Sequence, residues 1–363
     1  MQIITDLFIG FIVGYLSMTS SIATSLTALL EPADEQVVVI IEESPNEVDT
    51  ISSLPSRVGK AIPDILLRSA RYQAAAVAGS AGLVGASTRE PLDAIVNIFC
   101  TFISETTVKT TTGTGFFIDP DGVIMTNAHV AQFLLLEETE EDGTTDCIVR
   151  SGDPATPQYQ AELLYLPPAW IQDNASVMSA AIPMGTGERD YALLYVSSRT
   201  NGAPLPAVFP ALGFDAELLP LSSRNTDVLA AGYPATPLLR DGASADLVPK
   251  RATTSVSELY TFGSNFADVF SIRGSIVGAE GSSGGPILNA DGNVIGMIVT
   301  RGDDTIDGPG SLRAITLSHI DRTITEETSF SLQENLGGDL AFRAQIFAET
   351  MSPFLLAILQ QNN

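Results

Sequence analysis

Histidine and cysteine are both scarce: the chain holds two of each in 363 residues. The cysteines, Cys100 and Cys147, form no C-x-x-C pattern, so a zinc site lacks both ligand number and ligand spacing. No pattern calls for another metal or for a cofactor. The count alone leaves a disulfide and two buried free thiols equally open, the first requiring an oxidising compartment. Basic residues are short as well, 18 Lys and Arg against 43 Asp and Glu, for a net charge of −25. Nucleic acid is bound through its phosphates and needs a basic face, which excludes it as a partner. Docking on anionic lipid is excluded for the same reason, and the acidity is read as a solubility feature. No repeat of solenoid or propeller period is present. What the chain has in quantity is apolar residues, 45% of the total, enough for one large core or two ordinary ones.

Charge is absent altogether from Leu7 to Leu30. The first half of that run is densely apolar and the second is rich in Ser and Thr. Its length suits a membrane-spanning helix. Ser21-Ile22-Ala23 offers the small-residue site of a cleaved signal peptide instead. No Lys or Arg precedes the run, where Asp6 stands, and this favours an uncleaved anchor. Residues 1–35 are therefore expected to be an anchor or signal segment. Residues 36–92 read as an acidic linker with a strand-like patch at Val37–Ile41 and a short helix opened by Pro63.

From Ala94 the texture changes to short β-rich runs broken by turns. Six are expected at 94–100, 112–118, 123–126, 147–150, 161–165 and 191–196, with a long insertion loop before the last. Asn174-Ala175-Ser176 in that loop fits a glycosylation acceptor, a triplet common by chance. A second set is expected at 227–232, 251–256, 259–262, 269–272, 286–289, 294–300 and 312–316, with a hairpin turn at Asp291-Gly292. Two groups of about six strands predict an all-β core of paired antiparallel β-barrels. A helix is expected near Ser318 and another, capped by Asp339, over 340–351.

Gly281-Ser282-Ser283-Gly284-Gly285-Pro286 carries the chemistry. Glycines let the backbone take conformations closed to other residues, and the apolar Ile287-Leu288 follows as a buried strand. A serine in such a turn suits a nucleophile, and its N–H together with that of Gly281 can converge on an oxyanion. Thr126-Asn127-Ala128-His129 ends a strand and supplies the side chain best suited to moving a proton near neutral pH. Asp190 opens the strand Tyr191–Val196, where a carboxylate can hold the imidazole tautomer. The order His129, Asp190, Ser283 puts acid and base in the first β group and the nucleophile in the second. His319 reads as a structural histidine with no partner motif near it.

With those residues in view, the chain resembles the chymotrypsin-fold serine proteases, and most closely the bacterial HtrA-type (Deg) proteases. The matching motifs are Gly113–Ile118, Thr126–Val130, Asp190–Leu194, Gly281–Pro286 and Gly292–Gly296, in family order. The resemblance covers about Asp93 to Ile324, which sets the expected domains at 93–326 for the protease and 327–363 for a helical tail. It implies two six-stranded barrels, with His129 as general base, Asp190 as its orienting acid and Ser283 as nucleophile. It places the oxyanion hole at Gly281 and Ser283. Ser283 is preferred over Ser282 because the family's nucleophile stands immediately before Gly-Gly. Thr300, Arg301 and Gly302 fall where the family pairs a strand with substrate backbone. Val277-Gly278-Ala279 falls at the primary specificity pocket, and the lack of an acid there implies a small or aliphatic preference. In such barrels the first and fourth strands are neighbours, which implies a Cys100–Cys147 disulfide and an extracytoplasmic location.

Two features depart from the family. Position 282 is Ser where the digestive and clotting enzymes carry Asp, so activation by a freed N-terminus is not carried over. Only 37 residues follow Glu326, too few for the PDZ domain usual in the HtrA type, and peptide sensing and trimer formation are not carried over either. The expected function is a membrane-tethered serine endopeptidase acting on protein or peptide substrates outside the cytoplasm, in quality control or processing. A secreted form after signal cleavage is the alternative location, and a catalytically silent binding or chaperone-like protein the alternative function. Oligomeric state stays open.

Overall fold

Several strands of this chain are marked by buried runs more than by alternation, and the reason is double burial. In Val123-Ile124-Met125-Thr126 all four residues are buried. Ile124 points into one barrel, while Val123 and Met125 join a cluster that spans both barrels. A strand covered on both faces has no polar side to alternate with.

The computed structural model describes residues 85–103, 108–138, 143–174, 187–242 and 245–361. The expected anchor, the linker helix after Pro63 and the 175–186 part of the insertion loop lie outside the described residues. The first half comprises α1 (Pro91–Ala94), β1 (Ile95–Ile103), β2 (Val108–Asp119), β3 (Val123–Thr126), α2 (Ala128–Ala131), β4 (Thr144–Ser151), β5 (Thr156–Tyr165), α3 (Pro168–Asn174) and β6 (Ala192–Arg199). The second comprises β7 (Asp227–Gly232), α4 (Thr236–Asp241), β8 (Lys250–Tyr260), β9 (Val269–Ile272), β10 (Pro286–Leu288), β11 (Val294–Arg301) and β12 (Leu312–Thr316). Helices α5 (Leu317–Thr328), α6 (Leu332–Leu336), α7 (Leu340–Thr350) and α8 (Ser352–Gln361) follow.

The strands close into two antiparallel barrels, ordered β1-β2-β3-β6-β5-β4 and β10-β11-β12-β9-β8-β7. The expected pair of six-stranded barrels is what forms. Each has its own apolar interior, and a third cluster fills the seam with Phe116, Met125, Tyr191 and Leu193 from the first barrel and Tyr233, Met297 and Ile315 from the second. Burying that seam is what fixes one barrel against the other.

Several boundaries differ from expectation. The runs 251–256 and 259–262 are one strand, β8, because Ser257-Glu258 is a bulge rather than a turn. β2 extends back to Val108 through an exposed Thr-rich segment that carries no apolar signal. The insertion loop contains α3, whose last residue, Asn174, is buried and donates its amide to the Trp170 carbonyl at 2.9 Å. A glycan there would have to displace that bond.

Cys100 and Cys147 are direct partners in the β1–β4 register and form a disulfide. An in-register pair puts both side chains on the same face of the sheet, which is the condition for bridging. The last two helices, α7 and α8, pack on the first barrel: Phe347, Met351, Leu355 and Leu359, four apart in sequence, line one helical stripe of its core. Among the described residues no helix is long and apolar enough to cross a membrane.

Candidate active site

β3 ends at Thr126, Asn127 stays extended, and α2 begins at once, so His129 sits in a first helical turn at the barrel rim. Asp190 grips it twice. The carboxylate accepts from the His129 N–H at 2.9 Å through one oxygen and lies 2.7 Å from Nδ1 through the other. Both residues are buried, Asp190 completely. A carboxylate on Nδ1 keeps the ring proton there, which leaves Nε2 as the basic nitrogen. The Asn127 amide holds the Asp190 carbonyl at 2.9 Å, and the Gln132 amide holds the His129 carbonyl at 3.0 Å. Backbone and ring of the histidine are therefore fixed by one acid.

The serine turn distinguishes its two serines. Ser282 is fully buried and donates its hydroxyl to the Val277 carbonyl at 2.5 Å. Ser283 is half-buried and donates to the Val299 carbonyl at 3.3 Å. That hydrogen bond is long, and a rotation about one side-chain bond changes its partner. Ser283 is thus the serine with an accessible oxygen.

Gly284 has φ +86°, and a Cβ there would lie 1.9 Å from the Thr114 carbonyl. Gly281 has φ +89°, with the Tyr233 carbonyl and the Ala235 side chain each 2.7 Å from where its Cβ would be. Only glycine satisfies both conditions at either position. The Glu280 carbonyl accepts from the Ala235 N–H at 2.6 Å. Because a trans peptide sets C=O and N–H on opposite sides, that bond turns the Gly281 N–H away from Ala235. Neither the Gly281 nor the Ser283 N–H has a hydrogen-bond acceptor among the described residues.

The turn is braced from the other barrel by Thr114, a residue that stands out in the sequence only as part of the Gly113–Ile118 motif. Thr114 of β2 donates its N–H to the Ser283 carbonyl at 2.7 Å and its hydroxyl to the Gly281 carbonyl at 2.7 Å. The same hydroxyl accepts from the Tyr233 N–H at 2.9 Å. Thr126 in turn donates to the Thr114 carbonyl at 2.7 Å. A Thr between glycines gives no periodic or chemical signal for such a role; the seam between barrels has to be built before it becomes visible.

Val277 is wholly buried among the apolar side chains of the second barrel. Its carbonyl accepts from the Ser282 hydroxyl, and its side chain carries no charge. Thr300 and Arg301 end β11 opposite Arg313 and Leu312 of β12, and the Gly302 N–H donates to the Ser311 carbonyl at 2.9 Å. This strand end continues directly from Val299, whose carbonyl meets Ser283. Among the described residues no group of three or more His, Cys, Asp and Glu side chains is disposed to hold a metal ion.

His319 has a partner after all. Its Nδ1 lies 3.1 Å from Asp268, which also accepts from Thr261, Ser264, the Phe262 N–H and Arg322. Those bonds outweigh burial and hold the Asp268 carboxyl well below the usual carboxylate range. The sequence reading missed this because the acid stands 51 residues from the histidine. The cluster ties the start of α5 to the β8–β9 loop.

A search of curated sequences finds no match. Among solved structures, the Rv3671c protease from M. tuberculosis in its active form is similar at 21% identity and a TM-score of 0.39, covering 65% of this chain and 82% of that one. The inactive form of the Rv3671c protease is similar at 20% identity and a TM-score of 0.36, covering 65% and 90%. The family model for the trypsin-like peptidase domain matches residues 113–297, which takes in the histidine, the aspartate and the whole serine turn. On that match, which spans just over half the chain, this protein belongs to the trypsin-like peptidases and is a serine protease.

Proposed function

We propose that the chain is an endopeptidase in which His129, Asp190 and Ser283 work as one unit. Ser283 Oγ attacks a peptide carbonyl while His129 Nε2 takes its proton. Asp190 holds the ring and stabilises the imidazolium that forms. The Gly281 and Ser283 amides receive the oxyanion. His129 then protonates the leaving amine, and water releases the acyl group from Ser283 by the reverse sequence. The observation that carries this reading is the double grip of Asp190 on His129, at 2.9 and 2.7 Å. A histidine kept only for packing needs no buried acid on both its backbone and its ring. Substrate backbone adds along Thr300-Arg301-Gly302 as an extra strand. The uncharged surroundings of Val277 favour a small or aliphatic side chain before the scissile bond.

The reaction is placed outside the cytoplasm, with the apolar segment in residues 1–35 as tether. The disulfide supports that compartment, since thiols stay reduced in most cytosols. Labelling with a fluorophosphonate tests the mechanism. Wild type takes up one probe on Ser283 and cleaves casein, and Ser283→Ala does neither. Labelling retained by Ser283→Ala and lost by Ser282→Ala would move the nucleophile by one residue. No labelling of wild type would leave the binding-protein reading in its place.

A further inference from the structure

The residues on both sides of Asp190 are held by α5. Arg189, immediately before it, has φ +56°, a left-handed conformation that costs a residue with a side chain about 1–3 kcal/mol and persists only when its surroundings impose it. The Arg189 guanidinium is buried, and its Nε lies 3.0 Å from Glu327 at the C-terminal end of α5, off the line of a hydrogen bond. Its other nitrogens face Glu188 at 2.9 Å and Glu326 at 3.6 Å. Glu327 is buried too, and its second oxygen accepts from the Tyr165 hydroxyl of β5 at 2.6 Å. Tyr191, immediately after Asp190, shares a hydrogen bond of 3.0 Å with Thr323 of the same helix. The other end of α5 leaves β12 and is bonded to Asp268 through His319 and Arg322. One helix therefore connects the barrel that carries Ser283 to the turn that carries Asp190.

A buried guanidinium–carboxylate pair is a poor way to gain stability, because desolvation of both charges offsets their attraction. An apolar pair would fill the same space. Such a pair directly beside the residue that grips the histidine points to geometry as its purpose. We propose that Arg189 and Glu327 are positioning residues for Asp190, the pair holding the left-handed turn that aims the Asp190 carboxylate at His129. The inference rests on the triad reading given above, and neither residue touches the reacting atoms.

A dependence on pH follows. Burial pushes the Glu327 carboxyl up to about 6, with the Arg189 charge and the Tyr165 hydrogen bond acting against it. The groups facing it are Tyr165 from β5, Arg189 and Tyr191 from the Asp190 turn, and Glu326 from its own helix. Burial pushes both phenols well above their usual range, so they stay neutral. Below about pH 6 Glu327 takes up a proton and Arg189 loses its buried counter-charge. Catalytic efficiency then falls on the acid side with the uptake of one proton more than in a variant that lacks the Glu327 carboxyl.

The test uses the full chain, with active sites counted by fluorophosphonate so that rates refer to folded, competent enzyme. kcat and KM for a peptide amide are measured from about pH 5 to about pH 9. Glu327→Gln is expected to lower kcat about tenfold on the alkaline plateau, the scale of a small misplacement in the site. KM is expected to stay within about twofold, and the acid limb to take up one proton fewer than in wild type. Arg189→Lys, which keeps the charge, should recover part of the rate lost in Arg189→Met. The double variant Arg189→Met with Glu327→Leu removes both charges from the interior, and is expected to melt no lower than wild type while keeping the low kcat. That outcome separates positioning from folding. Wild-type kcat with an unchanged acid limb in Glu327→Gln, or full kcat in the double variant, would overturn the proposal. Failure of the triad reading shows separately, as wild-type Ser283 that takes no probe, and would overturn both.

Discussion

The Thr114 hydroxyl donates to the Gly281 carbonyl across 167 residues of sequence, at 2.7 Å and in full burial. The two residues belong to different barrels, so this bond fixes the serine turn of one barrel from the rim of the other. Thr114→Val keeps the shape and removes the hydroxyl. It leaves the Gly281 carbonyl and the Tyr233 N–H without their partner, and a buried polar group so orphaned costs about 1–3 kcal/mol. The expected result is a lower melting temperature, a kcat reduced about tenfold, and a KM little changed. Affinity for a peptide aldehyde, which presents an oxyanion once bound, should fall in step with kcat, and Thr114→Ser should restore both. An aldehyde that binds Thr114→Val as tightly as wild type would show that the bond does not reach the oxyanion site.

The triad should fail as a unit. Ser283→Ala and His129→Ala are each expected to lose on the order of 10⁶ in turnover, and the double variant little more. Asp190→Asn is expected to lose about 10⁴, because the amide favours the wrong ring tautomer. Ser282→Ala should keep most of its turnover and lose stability, since its hydroxyl is bonded to the Val277 carbonyl inside the protein. Steady-state kinetics on a peptide amide, with melting curves alongside, read all five. Additive losses in the double variant would mean that Ser283 and His129 do not act on the same proton.

How far the sequence carried depends on the kind of signal. Val123–Thr126, Asp227–Gly232, Val269–Ile272 and Leu312–Thr316 were legible to the residue, because short apolar runs between turns have few other uses. The pairing of His129 with Asp190 was legible because their flanking motifs occur in one order. Thr114, Asp268 and the Arg189–Glu327 pair were not. Each acts on a residue far away in the chain, and no local pattern of charge or hydrophobicity encodes a contact that exists only once two barrels and a helix are packed together. β8 was split in two for a related reason: Ser257-Glu258 has the composition of a turn, and only the neighbouring strand shows that it is a bulge.

The disulfide closes a loop of 47 residues across β1 and β4. Constraining an unfolded chain over such a length is worth roughly 2–4 kcal/mol. Both half-cystines lie inside the first barrel, so replacing them with Ala also removes apolar contacts at its core. Cys100→Ala with Cys147→Ala is therefore expected to lower the midpoint of denaturant unfolding markedly, by at least the loop contribution. Reduction of the wild type should reproduce most of that loss. A midpoint unchanged by reductant, with the thiols shown to be free by alkylation, would mean that the bridge does not stabilise the barrel.

Asp119 should limit stability at alkaline pH. It closes β2 at the turn into β3, is buried, and accepts from the Asp121 N–H at 2.8 Å. Burial pushes its carboxyl up to about 6, with the Asp121 charge adding to the rise and the backbone bond opposing it. A carboxyl whose value is raised by folding favours the protonated native state. Its contribution is complete below the unfolded value near 4 and is lost as pH rises through about 6. Asp119→Asn keeps an oxygen for the Asp121 N–H and removes the charge. At about pH 8 it is expected to raise stability by roughly 1–2 kcal/mol, a figure already reduced for partial contact with solvent. At about pH 3 the two proteins should unfold alike, because Asp119 is then mostly neutral in both states. Urea midpoints at the two pH values decide the matter: a gain of equal size at both would assign the effect to packing or turn geometry, and no gain at the higher value would mean that the carboxylate is better solvated than its burial implies.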